Sequence, residues 1–532
     1  MDMTIDLFAR FEQLHEIGAA LSSERNIDRL LENILLAAKA ITHADGGTLY
    51  RVAENQKFLR FEIVRTDSLK IAYGGTTGAP ISAKFKDLPL CREDGQPNNS
   101  LVAAYSAIHA ETVNIADAYA ADGFDFSGTR KFDAITGYRS QSFLTVPMRN
   151  HANEVIGVLQ LINATDPQNG VVRVFSHADQ RLVESLASQA AVALTNRLLV
   201  SQLEELFEAF ITLINMAIDE KSPYTGGHCQ RVPSLTMMLA EAVAATSDGP
   251  LADFSMSDKD RYELKIAGLL HDCGKVTTPV HVVDKATKLQ TIFDRIALVD
   301  TRFEVLRRDA ELTMLRGVLD GGDRLAAEQK WRRQVREIDE DRDFLRRVNL
   351  GGEAMRREDG ERVPSLSKKY RWLNGDGIEV DFLSDDEIEN LTIRAGTLTR
   401  AERETINYHI VATIKMLESL PWPKHLKHVP EYVGGHHERM DGKGYPKGLK
   451  RGEMSVQARI MGIADIFEAL TARDRPYKPG MKLSEALRIL GNMRNNGHID
   501  ADLFDVFIRE KVYLKYAEQY LEPSQIDEPP GV

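Results

Sequence analysis

The chain has 532 residues, 43% of them hydrophobic and 27% charged, an ordinary globular composition with room for two or three separately cored domains. A formal charge of -12 argues against non-specific binding to nucleic acid, and three widely spaced cysteines, Cys91, Cys229 and Cys273, argue against a secreted disulfide scaffold. No apolar run reaches ~18 residues and no charged-then-apolar leader opens the chain, so the expectation is a cytoplasmic protein without a membrane span.

In chain order, the first predicted element is an amphipathic helix. Asn26 is a good N-cap, Ile27, Leu30, Leu31, Ile34, Ala38 and Ile41 recur at helical spacing, and "ADGG" ends the run. Short β-branched and aromatic segments follow: "GTLYRV" (47–52), "KFLRFEIV" (57–64), "SFLTVPM" (142–148) and "EVIGVLQLI" (154–162), the last two joined as a hairpin through "RNHANE". The strings "VNIADAYA" (113–120), "RKFDAITGYRSQSFLTVPMRN" (130–150) and "NEVIGVLQLINA" (153–164) resemble a GAF domain. The resemblance implies a sensor domain over residues 1–175, with a central antiparallel sheet flanked by helices and a small-molecule or cyclic-nucleotide ligand. Lys131, Phe132 and Asp133, with "TGYRSQS", are close to the pattern of GAF domains in cyclic-nucleotide phosphodiesterases and cyclases.

The next glycine or proline after "HADQRLVESL" comes beyond residue 220, which predicts one long connecting helix over 176–220. Val200, Leu203, Phe207, Phe210, Ile214 and Ala217 alternate at spacings of three and four, the seam of a parallel two-stranded coil, so a homodimer is expected.

Beyond it histidines and carboxylates gather. "KDRYELKIAGLLHDCGK" (259–275) reads as a helix with Tyr262, Ile266, Leu269 and Leu270 on its buried side, carrying His271 and Asp272 ahead of Gly274. Neighbours on a helix diverge by ~100°, so this pair does not ligate one ion from one face unless the two approach from flanking directions, whereas a carboxylate with two oxygens can bridge two metals. His228 opens a helix, His409 lies within another behind a Thr399 to Glu402 capping box, His436 and His437 sit in a glycine-rich loop, and Asp465 lies on a further helix. Between them, residues 290–396 form an insertion. Ile292, Ile296, Val299, Phe303, Leu306 and Ala310 make one apolar stripe, "DGGD" turns, and Trp331, Val335, Ile338, Leu345 and Val348 make a second: an antiparallel helical hairpin free of His and Cys, open to a role as lid, partner arm or dimer contact.

The strings "GGHCQRV", "HDCGK", "NYHI", "GGHHERMDGKGYP" and "IADIFEALTARDRPYK", in this order, resemble the HD-GYP family of HD phosphohydrolases over residues 205–520. The fold class expected is therefore multidomain α+β: a GAF domain with an antiparallel sheet, a long helix, and an all-α HD-GYP domain with a helical-hairpin insertion. The resemblance implies hydrolysis of a cyclic dinucleotide, typically cyclic di-GMP, to linear pGpG or GMP. By position, His228, His271, Asp272 and Asp465 would serve one metal, with Asp272 shared to a second held by His409, His436 and His437. Family members with three metals carry Glu where Tyr224 stands here, and a phenol ionises only near pH 10, so two divalent ions are expected, iron ahead of manganese. Two cations ~3.5–4 Å apart make water near pH 7 a competent nucleophile and hold the phosphate oxygens where charge gathers. Lys275 would act at the scissile phosphate, Arg475 and Lys478 would contact the ligand's phosphates, and Glu438 and Asp441 would orient imidazoles and close turns. A catalytically silent cyclic-dinucleotide receptor and an HD phosphohydrolase of other nucleotides are the alternatives.

Overall fold

The computed structural model describes residues 15–221, 227–352, 354–473 and 480–527. The chain divides into two compact units, Met1–Phe207 and Glu208–Val532.

In the first unit the Asn26 side chain accepts the Arg29 N–H and starts α1 (Ile27–Thr42), which closes on His43 in the left-handed conformation. The strands are β1 (Ala44–Val52), β2 (Phe58–Thr66), β3 (Ile71–Tyr73) and β4 (Leu88–Pro89), then β5 (Val113–Ile115), β6 (Phe143–Arg149), β7 (Val155–Thr165) and β8 (Val172–Arg173). They form one antiparallel sheet in the order β3-β2-β1-β7-β6-β5, with β4 on β2 and β8 on β7. Helices α2 (Val102–His109) and α3 (Ser127–Thr136) interrupt the strands, and α4 (His177–Lys221) follows them. Because side chains alternate along a strand, Leu49 and Leu159 turn to the core shared with α1 and Leu186 and Ala190 of α4, whereas Tyr50 and Val158 turn to Ala103 of α2. Asp133 of the "KFD" string is buried, accepting hydrogen bonds from the Ser140 N–H and hydroxyl and the Tyr119 hydroxyl, each at 2.8 Å. It pins the "TGYRSQS" segment onto α3.

Of the predicted coil seam on α4, Val200, Leu203, Phe210 and Ile214 are exposed. The buried side chains near its C-terminal end are Ile211, Asn215 and Ile218, with the Asn215 amide donating to the Leu269 carbonyl.

The second unit is mainly helical: α5 (His228–Ala244), α6 (Asp258–Leu270), a 3-10 turn (Cys273–Thr277) and α7 (Val280–Val283) come before the insertion. The sequence reading carried α6 on through His271 and Asp272 up to Gly274; the helix instead ends at Leu270, and of the expected buried side Ile266 and Leu270 are buried, joined by Leu264 and Ala267, while Tyr262 and Leu269 are not. The hairpin is α8 (Ile296–Leu319) and α9 (Arg324–Asn349), antiparallel and laced by Asp300 with Arg342 and Arg346 at 2.9 and 3.0 Å. Ile292, assigned to the first stripe, lies outside the helix at 94% exposure. More structure follows that the apolar periodicity did not reveal: α10 (Arg357–Lys369), the two-stranded pair β9 (Arg371–Leu373) and β10 (Glu379–Asp381), and α11 (Asp385–Leu391). Phe303, Phe344, Val363, Leu366, Phe382 and Leu391 join in one core, so the hairpin is the frame of a small folded module. The remaining helices are α12 (Arg400–Glu418), α13 (Val429–Gly434), α14 (Val456–Thr471), α15 (Leu483–Asn495), α16 (Ala501–Arg509) and α17 (Val512–Tyr520). Among the described residues no helix is long and apolar enough to cross a membrane.

Candidate metal centre

Each chemical residue is held by a helix end or a packed helix face. His228 is the first residue of α5; His271 caps α6 and Asp272 begins the 3-10 turn; His409 lies in the middle of α12; His436 and His437 follow α13; Asp465 lies in the middle of α14. The capping boxes Ser257 with Asp260 and Thr399 with Glu402 fix the starts of α6 and α12. The two helices then meet through Gly274, whose N–H donates to the Thr413 hydroxyl at 2.9 Å. A Cβ at Gly274 would lie 2.1 Å from the His409 carbonyl oxygen, so only glycine allows the Asp272 turn and the His409 helix to approach this closely.

The seven predicted ligands converge. Asp272 Oδ2 is 3.1 Å from His228 Nε2 and 3.2 Å from His271 Nε2, while Asp272 Oδ1 is 3.4 Å from His409 Nε2. Asp465 Oδ1 is 3.3 Å from His228 Nε2, and Asp465 Oδ2 is 3.9 Å from His437 Nδ1. His437 Nε2 is 3.2 Å from His409 Nε2. Two sets of potential metal donors result, His228 with His271 and Asp272, and His409 with His436 and His437.

The donor chemistry fits cations. Nδ1 of His271, His409 and His436 lies 2.6–2.7 Å from the carbonyl oxygens of Gly268, Ile406 and Val433. A carbonyl only accepts, so each Nδ1 carries a proton and each ring turns its Nε2 inward. His228 is held by Glu468, whose carboxylate is 2.5 Å from Nδ1; burial works against charge on this ring, but Glu468, Asp272 and Asp465 outweigh it and raise its pKa well above the usual value. Ring nitrogens and carboxylate oxygens thus crowd together, and among the described residues the buried Nε2 of His436 has no hydrogen-bond partner. Burial, reinforced by the neighbouring His271, pushes the His436 pKa down to about 4, and burial with His436 holds His437 well below its usual value, so both are neutral near pH 7, as a metal ligand must be. Burial works against charge on Asp272 and Asp465, but Lys275 and His271 around the first, and His228 beside the second, outweigh it and hold both carboxyls ionised.

Lys275 does not stand free toward a substrate: its ammonium is 2.5 Å from Asp272 Oδ2, on the same oxygen that faces His228 and His271. Glu438 accepts backbone N–H groups of Lys447, Gly448 and Leu449 at 2.7–3.1 Å, and Asp441 is gripped by Arg439 at 2.8 Å. A Cβ at Gly444 would sit 2.4 Å from the Glu438 Cα, and this close crossing of the loop on itself seats the Tyr445 ring on His437, 4.9 Å between centroids and 24° from parallel. A cavity of about 530 Å³ opens over His436, His437, Tyr445 and Asp465, with Arg439 and Lys443 in its wall. Tyr224, Arg475 and Lys478 lie outside the described residues.

Glu468 was missed in the sequence. It is fully buried, orients His228 and receives the Arg231 guanidinium at 2.7 Å. The available signal was spacing: His228 and Arg231 are three apart on α5, Asp465 and Glu468 three apart on α14, so each pair shares a helix face.

Comparison with known proteins agrees with this class of fold. Residues 26–194 match the GAF domain model, and residues 225–340 and 385–503 each match an HD domain model. The chain therefore carries a GAF domain followed by HD-domain sequence. A 3'3'-cGAMP-specific phosphodiesterase of Vibrio cholerae is 40% identical over 101 residues, 19% of this chain and 22% of that protein. A second Vibrio cholerae phosphodiesterase of the same named specificity is 24% identical over 299 residues, 56% of this chain and 37% of that protein. A cyclic di-GMP phosphodiesterase of Pseudomonas aeruginosa is 43% identical over 74 residues, 14% of this chain and 17% of that protein. The chain thus spans at most 37% of the length of these curated relatives.

Proposed function

We propose that this chain is an HD-GYP-type phosphodiesterase that hydrolyses a cyclic dinucleotide, cyclic di-GMP first, to linear pGpG or GMP, under the control of its GAF domain. The observation that carries the reading is the division of Asp272, with one carboxylate oxygen toward His228 and His271 and the other toward His409. That arrangement supports two divalent ions, iron ahead of manganese, held by His228, His271, Asp272 and Asp465 on one side and by His409, His436, His437 and the shared Asp272 on the other. Ions so bound supply Lewis-acid polarisation of phosphoryl oxygens and a nucleophilic water near neutral pH. The chain's own residues do the rest. Glu468 keeps Nε2 of His228 turned inward, Lys275 offsets the charge of Asp272, and Glu438 holds the loop that seats Tyr445 on His437. Arg439 and Lys443 line the cavity wall on the side where a dinucleotide would enter, and Arg475 and Lys478 are assigned to its phosphates. Control would come from ligand binding at the GAF domain, shifting the long helix in a homodimer.

The printed specificity of the two Vibrio cholerae relatives favours a second substrate, 3'3'-cGAMP, for the same site. Purified protein loaded with iron or manganese is incubated with each cyclic dinucleotide and the products are separated. Linear dinucleotide or GMP is expected, and His271→Ala with Asp272→Ala abolishes it. Tight binding of a cyclic dinucleotide without turnover in the metal-loaded protein would instead make the chain a receptor, and activity only on mononucleotides would make it a different HD phosphohydrolase.

A further inference from the structure

The hairpin of the insertion carries a second apolar stripe, on the side of α8 turned away from the module. Val299, Phe303 and Ala310 of α8 are buried. Counting from Ala310 at 100° per residue, Val305, Arg308, Leu312, Leu315 and Leu319 lie about 140–220° round the helix, opposite that buried face. Leu312, Leu315 and Leu319 are exposed, Leu319 at 84%. Positions 305, 312 and 319 are seven apart, and 308 and 315 fall between them at spacings of three and four, the repeat of a helix that packs lengthwise on another. Leucines in such a row are expensive to leave in water.

The charges beside the stripe point to the neighbour. Those of α8 that reach α9 are matched inside the hairpin: Asp300 by Arg342 and Arg346, Glu304 by Arg342 at 2.7 Å, and Arg307 by Asp339 at 3.7 Å. Asp309 and Arg316, exposed and seven apart along one edge of the leucines, take no part in these pairs and have no ion-pair partner among the described residues. Arg316 lies in the last turn of α8, where a cation complements the helix dipole, but Asp309 in the body of the helix has no such reason. Two α8 helices set antiparallel about a two-fold axis supply one. When Leu312 of each copy meets Leu315 of the other, Asp309 of each copy stands opposite Arg316 of the other. Sliding one helix by a heptad in either direction sets Asp309 on Asp309 or Arg316 on Arg316, so a single register satisfies the leucines and the charges together.

We propose that α8 is an interaction surface for a second copy of this chain, packing antiparallel on its counterpart with Leu312 and Leu315 at the axis and two Asp309 to Arg316 ion pairs along one edge. Three leucines from each helix make a weak contact alone, and any other junction between the copies strengthens it by raising their effective concentration. The surface belongs to the insertion and stands whether or not the metal cluster hydrolyses cyclic dinucleotides.

Thiol cross-linking of the full chain tests it. In a Cys91→Ser background the remaining cysteines, Cys229 and Cys273, are buried. There Leu312→Cys places one thiol beside the axis, about 10 Å from its twin, whereas Leu298→Cys, also at an exposed position, places it about 45 Å from its twin. A short bismaleimide is expected to join Leu312→Cys chains into dimers and to leave Leu298→Cys chains single. Leu315→Asp and Asp309→Arg should each slow the reaction at Leu312→Cys about threefold or more without lowering the melting temperature, and adding Arg316→Asp to Asp309→Arg should restore it. Absence of cross-linked dimer at Leu312→Cys, equal rates at the two thiol positions, or a charge reversal at Asp309 that Arg316→Asp does not rescue overturns the proposal.

Discussion

Glu468 is the residue on which the geometry of the first donor set turns. Its carboxylate holds His228 by Nδ1, and partners of this kind commonly change metal affinity by about 10–100-fold when replaced. Glu468→Gln should therefore lower metal retention by about that factor in competition with a coloured chelator. A merely structural role would lower the melting temperature without changing that competition. In the GAF domain, Glu32 carries a pH dependence. Burial would raise its carboxyl, but hydrogen bonds from Thr77, Arg65 and Thr76 outweigh that and bring it from 4.5 down to about 2. A depressed folded-state pKa means the stabilisation is fully present above pH 4.5 and is lost as pH falls toward about 2; the shift corresponds to about 3 kcal/mol at most. The stability gap between the parent and Glu32→Gln should thus be widest above pH 4.5 and close by about pH 2, read by denaturant unfolding followed at several pH values.

Among the elements, the decisive contact is the 3-10 turn against α12. Gly274 has no room for a methyl group beside the His409 carbonyl, so Gly274→Ala must push the turn off the helix and part Asp272 from His409. Overpacking of this kind typically costs about 1–3 kcal/mol, and here activity should fall further than stability because two donors are displaced together. Thermal unfolding with metal content on the same sample checks this, and an unchanged metal content would show that the contact is dispensable. Helix starts at Asn26 and Thr399, and the strands with their alternating faces, were legible because capping and periodicity are local properties. The end of α6 at Leu270 was not, because what stops the helix there is the packing of the following turn on α12. Likewise α10 and β9–β10 have too little apolar pattern of their own; Val363, Leu366 and Phe382 acquire their role only in the module's shared core.

For the whole molecule, the exposed apolar side chains of α4 bear on assembly. Leu203 and Leu206 in the first unit and Phe210, Leu213 and Met216 in the second are each more than half exposed in the single chain. A homodimer would cover them, since side chains of this size in a row are expensive to leave in water. Leu203→Asp with Phe210→Asp should shift a dimer to monomer in sedimentation velocity; an unchanged sedimentation coefficient would remove α4 from the interface. The sequence by itself singled out seven histidine and aspartate residues, through strings whose order resembles one family, and placed His228, His409 and Asp465 on helices, since caps and 3.6-residue periodicity are written along the chain. Tertiary structure alone decided that Asp272 divides its oxygens and that Glu468 reaches His228 across 240 positions. These depend on close approach between segments far apart in the chain, and neither close approach nor burial has a local signature.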